Sequence, residues 1–93
     1  MKTIHKYVLD IRKCDDVFEV QMPQDAEVLS FNNQLEKFCI WALVDTDKPR
    51  VTRKFGLMGT GRTHSQPDKI GKFIGTALFE HGIYVFHLFE MLP

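Results

Sequence analysis

Hydrophobic side chains recur at every second position along most of this chain, the spacing of strands that bury one face and wet the other. In residues 3–11, His5, Tyr7, Leu9 and Ile11 fall on one side, and Ile4 and Val8 share the other with Lys6 and Asp10. In residues 17–22, Phe18, Val20 and Met22 alternate with Glu19 and Gln21, until Pro23, which cannot donate to a ladder, stops the strand. A short third strand is predicted over 27–31. Asn32-Asn33-Gln34 after it supplies residues that tolerate positive φ in a tight hairpin. The pattern then changes: residues 38–44 are apolar at every position, as expected of a central strand covered on both faces. A turn over 45–49 leads to a fifth strand in which Val51, Arg53, Phe55 and Leu57 alternate with Thr52, Lys54 and Met58.

Gly56, Gly59 and Gly61 open the one long irregular stretch, which runs on through 63–68, and loops of that length in small domains often carry function. At most one short helical turn, near 67–72, is predicted, with Pro67 at its first position. Strands over 72–79 and 83–91 close the chain as a hairpin around Glu80-His81-Gly82, and the last strand is apolar on both faces, which marks it as interior. The sum is a mainly β fold, with a β-rich α+β arrangement as the nearest alternative. It forms a single small domain over 1–93, six to seven mostly antiparallel strands in a small barrel or sandwich.

Composition supports one core and little else: 93 residues, 44% hydrophobic, with eight Phe, two Tyr and one Trp to fill it. No run approaches the roughly 20 apolar residues that a membrane span needs, and the first ten residues mix charge with apolar groups, unlike a secretory leader. Cys14 and Cys39 lack CxxC spacing and read as two free thiols, which points to a reducing cytoplasm.

Charge changes the picture more. Twelve basic and twelve acidic residues sum to zero, yet residues 1–45 carry a net −3 and residues 46–93 a net +3. Between Lys48 and Lys72 seven basic residues face only Asp68. If they converge, they form an anion-binding patch. The candidate binding surface is therefore Arg50, Arg53, Lys54, Gly59, Thr60, Gly61, Arg62 and His64, because glycines let backbone N–H groups approach an anion while Thr and Arg add donors. Solvated strand charges and a glycine-rich strand end explain the same residues without a ligand. The segment matches neither GxxxxGK[ST] nor GxGxxG, whose last glycine is replaced by His64. His5, His64, His81 and His87 lack metal-ligand spacing, and Asp15, Asp16, Asp25 and Glu27 do not space as a calcium loop. Ser30 and Ser65 lie outside any GxSxG elbow. No catalytic residue, metal or cofactor is assigned.

Several segments together resemble a group of small proteins of unknown function encoded by bacteriophages and prophages. They are Thr3-Ile4-His5-Lys6-Tyr7, Glu19-Val20-Gln21-Met22-Pro23, Ala26-Glu27-Val28-Leu29-Ser30, Trp41-Ala42-Leu43-Val44-Asp45, Gly59-Thr60-Gly61, Ile74-Gly75-Thr76 and Val85-Phe86-His87-Leu88-Phe89-Glu90. The resemblance covers nearly the whole chain. It implies a phage origin, a life in the host bacterial cytoplasm and no catalytic residues. The function expected is that of a non-catalytic accessory protein binding a host or phage macromolecule, in the first place a protein. The alternative is a nucleic-acid or nucleotide module that uses the basic 48–72 stretch, with Trp41 or Phe55 for stacking. An enzyme of unrecognised type is the third reading. A homodimer would hide an edge strand.

Overall fold

Two antiparallel sheets face one another across the apolar side chains that the alternation selects. The computed structural model describes residues 1–9 and 17–93. Expectations that fall on residues 10–16, including the end of the first strand and the thiol of Cys14, lie outside the described residues. Among the described residues the strands are β1 (Lys2–Leu9), β2 (Val17–Pro23), β3 (Glu27–Gln34), β4 (Lys37–Asp45), β5 (Arg50–Gly59), β6 (Ile70–Phe79) and β7 (Tyr84–Met91). A 3₁₀ turn, Pro67–Lys69, precedes β6 where the helical turn is expected. The three-stranded sheet has the order β1-β4-β3 and the four-stranded sheet β2-β5-β7-β6. The mainly β expectation holds, and the arrangement is a sandwich curled toward a barrel.

One side of the sandwich nearly closes. Gly75 of β6 lies against Phe31 of β3, and Asn33 Nδ2 donates to the Leu78 carbonyl (3.0 Å) across the seam, although no ladder joins the two strands. Both edges are bulged, β3 between Val28 and Ser30 and β6 on either side of Phe73. Such bulges increase local twist and bend an edge toward its neighbour. The core between the sheets contains Met22, Ile40, Val44, Phe55 and Leu88, all essentially without solvent contact, and the rings of Phe31, Phe38, Phe79 and Phe86 pack at its β3–β6 end.

Three differences from the alternation have physical causes. The first hairpin does not turn at Asn32-Asn33-Gln34. β3 continues to Gln34, which pairs Lys37, and the two turn residues are Leu35 and Glu36, both at positive φ (53° and 61°). The asparagines act through their side chains instead: Asn33 Oδ1 accepts from the Glu36 N–H (2.8 Å), the local competition with backbone bonding at which Asn excels. Second, β6 begins at Ile70, two residues early, because the 3₁₀ turn feeds it directly and the Leu92 N–H bonds the Lys69 carbonyl (2.7 Å). Third, β4 is not covered on both faces. Phe38, Ile40, Ala42 and Val44 are buried in the core, but on the opposite face only Cys39 is buried, while Trp41 and Leu43 are half-exposed. β7 is interior as expected, lying between β5 and β6.

Candidate functional site

The basic residues do not converge into one patch. Arg50 is the first residue of β5 and Gly59 the last, so ten residues at about 3.3 Å each place Arg50 and the Gly59–Arg62 turn roughly 30 Å apart. Arg53, on the inward face with Phe55, is fully engaged. Its Nε and Nη2 donate to the two Glu90 carboxylate oxygens (both 2.7 Å), Nη1 donates to the Ala26 carbonyl, and the guanidinium sits 5.9 Å from the Phe55 ring centroid. The Glu90 hydrogen bonds hold the Arg53 pKa above its ordinary value, so this cation closes one end of the core. Lys54 points outward beside its cross-strand partner Glu19 (4.0 Å).

The glycine-bearing turn is held by its own contacts. Gly61 is at φ 79°, and the Arg62 N–H closes the turn on the Gly59 carbonyl (3.0 Å), with the Arg62 stem laid over Gly59. Thr60 Oγ1 lies 2.8 Å from His87 Nε2, and Thr76 Oγ1 lies 2.9 Å from His87 Nδ1, so the imidazole is held between two hydroxyls. His64 is buried. Its Nδ1 accepts from the Gln66 N–H (3.0 Å), and its ring lies over Gly56, where it folds the loop back against the outer face of β5. Of the expected surface, Arg50 and Arg62 are the cations without an ion pair among the described residues, and they stand at opposite ends of β5. The aromatics proposed for stacking do not join them: Phe55 is wholly buried and Trp41 lies on the other sheet.

Two features escape the linear reading. The outer face of the three-stranded sheet follows from register alone, since paired residues share a face. Ile4 stands opposite Leu43, Lys6 opposite Trp41 and Val8 opposite Cys39, with Glu27, Ser30 and Asn32 completing those rows on β3. Ile4 and Val8 are 57% and 51% exposed, and Leu29 at the β3 bulge is 47% exposed. Lys6 Nζ donates to Gln34 Oε1 (2.8 Å) across the rows of β4 that lie between them, and Cys39 in those rows is buried. The second feature is a cleft of about 200 Å³ between β1 and β2, lined by His5, Tyr7, Gln21, Thr46, Lys48 and Arg50, with Pro23 beside them. The alternation of β1 places His5 and Tyr7 together, but only the sheet order brings Gln21 and Arg50 to them.

Among the described residues no cluster of His, Cys, Asp or Glu is placed to hold a metal ion, and no helix is long and apolar enough to cross a membrane. Comparison with curated proteins and with solved structures finds no match. A family model described as a domain of unknown function, DUF7352, matches residues 1–93, and the chain belongs to that family.

Proposed function

We propose that this domain is a non-catalytic binding module that docks a protein partner on the outer face of its β1-β4-β3 sheet. The observation that carries the reading is β4. Its sequence is apolar on both faces, but the core covers only one, which leaves Trp41 and Leu43 half-exposed beside Ile4, Val8 and Leu29. A central Trp ringed by aliphatics inside a polar margin is the anatomy of an interface hot spot. Lys2 and Lys6 stand along the β1 margin, so the matching surface has an apolar centre and carboxylates on that side. With the resemblance to phage-encoded proteins, this makes the domain an accessory protein that engages a host or phage protein in the bacterial cytoplasm.

The test begins with affinity capture from bacterial lysate, followed by reconstitution of the captured partner with purified protein. Trp41→Ala is expected to weaken the reconstituted complex by about 30-fold, the roughly 2 kcal/mol of a central aromatic anchor. Arg62→Ala, at the far turn, is expected to leave it unchanged. The reverse pattern, with Arg62→Ala disrupting and Trp41→Ala silent, overturns the reading.

A further inference from the structure

The cleft between β1 and β2 lies on the opposite side of β1 from the docking face, and its chemistry is different. His5 and Tyr7 project from β1, with their rings edge to face at 6.3 Å, while Gln21 comes from β2 and Arg50 from the start of β5. Most of these side chains therefore sit on strands rather than on loops, which fixes their spacing. No carboxylate is among the residues that line the cleft.

Each donor is in a usable state. Arg50 has no ion pair among the described residues. Lys48 Nζ is anchored on Asp25 Oδ2 at 2.9 Å, and that bond uses one of three ammonium protons. Tyr7 is half-buried, and that burial raises its pKa against the opposing pull of the nearby Arg50 charge, which keeps the phenol a neutral O–H donor. A carboxylate offers two oxygens, which the Arg fork alone satisfies. A phosphate monoester offers three terminal oxygens and the free ion four, and three of them can be met from separate directions by a guanidinium, an ammonium and a phenol.

From this arrangement we propose that the β1–β2 cleft binds a phosphate group, free or as the monoester of a small molecule. A volume of about 200 Å³ suits a group of that size and falls below the roughly 300 Å³ at which drug-sized sites begin. Arg50 supplies the bidentate contact, Lys48 and Tyr7 the flanking donors, and His5 lies at the rim, where an ester substituent leaves the cleft. This second site does not depend on the docking face.

Amide NMR titration of the full chain tests it, with inorganic phosphate, phenyl phosphate and acetate as separate probes. Saturable shifts at His5, Tyr7, Gln21 and Arg50 are expected with the phosphate probes. Tighter binding of phenyl phosphate assigns the site to an ester, and equal binding assigns it to the phosphate alone. Arg50→Gln is expected to weaken binding about tenfold or more and Tyr7→Phe by a few-fold, with the remaining resonances unmoved. The proposal is overturned if no phosphate probe saturates by about 10 mM, if acetate binds equally well, or if Arg50→Gln binds as the wild type does.

Discussion

Arg53 and Glu90 meet fork to fork at one end of the core, with both contacts at 2.7 Å and with 19% and 27% of their side chains exposed. The pair joins β5 to β7 where Glu90 stands opposite Phe55, and through the Ala26 carbonyl it also holds the start of β3. Removing one partner leaves the other charge partly desolvated. Glu90→Gln is therefore expected to cost about 1–2 kcal/mol, discounted from the buried-pair value because water still reaches the outer edge of both groups. Replacing both at once, Arg53→Met with Glu90→Leu, should cost less than the sum of the single changes. Urea midpoints at constant slope measure this. Strict additivity would show that the two groups do not act as a pair.

Gly56 and His64 make a second test. A Cβ on Gly56 would fall 2.9 Å from His64 Nε2 and 2.5 Å from Met91 Sδ. The thioether end can swing aside, but the imidazole is fixed by its bond from the Gln66 N–H and by burial. Gly56→Ala is expected to destabilise by about 1–3 kcal/mol, the range for overpacking, and most of that penalty should vanish in a His64→Ala background. A penalty that is the same in both backgrounds would place the strain elsewhere.

Much of the fold is legible from period two, and so is part of the error about the site. The inner faces of β2, β4 and β5 are the alternating apolar residues, and the all-apolar run of β4 marks a strand whose outer face is apolar as well as its inner one. The same alternation puts Arg53 on the side of Phe55 and Lys54 on the other. Arg50, Arg53, Lys54 and Arg62 are close in sequence, but that alternation and the length of β5 hold them apart in space. His64 becomes a loop anchor only because the chain folds back over Gly56, a contact with no local signature. The β1–β2 cleft depends on the two strands belonging to different sheets, and no pairwise spacing encodes sheet order.

Burial holds the Tyr7 pKa above its ordinary value of 10.0, and the Arg50 charge pulls against that rise. The folded state therefore retains the phenol proton at a pH where the unfolded chain has lost it. The contribution to stability is complete below about pH 10 and is lost as pH rises through the folded value. Arg50→Gln removes the opposing pull, so the Tyr7 pKa is expected to move further up. ¹³Cζ NMR of labelled tyrosine follows it directly. A titration unchanged by Arg50→Gln would separate the two groups and also remove the paired donors on which the phosphate site depends.

The β3–β4 hairpin turns on two residues that gain nothing obvious from being there. Leu35 is 90% exposed, and both Leu35 and Glu36 are held in the left-handed region, at an intrinsic cost of about 1 kcal/mol each for non-glycine residues. Asn-Gly is the dipeptide that this two-residue geometry favours. Leu35→Asn with Glu36→Gly forfeits the long 3.3 Å contact between Asn33 Nδ2 and the Glu36 carboxylate. It keeps the Asn33 Oδ1 bond, which is made to the backbone N–H of the second turn residue. The introduced glycine also adds conformational freedom to the unfolded chain, which offsets about half the gain. The net expectation is a stabilisation of about 1 kcal/mol, read as a rise in Tm of roughly 4–8 °C for a domain of this size. A fall in Tm would mean that Leu35 or Glu36 makes a stabilising contact worth more than its backbone strain.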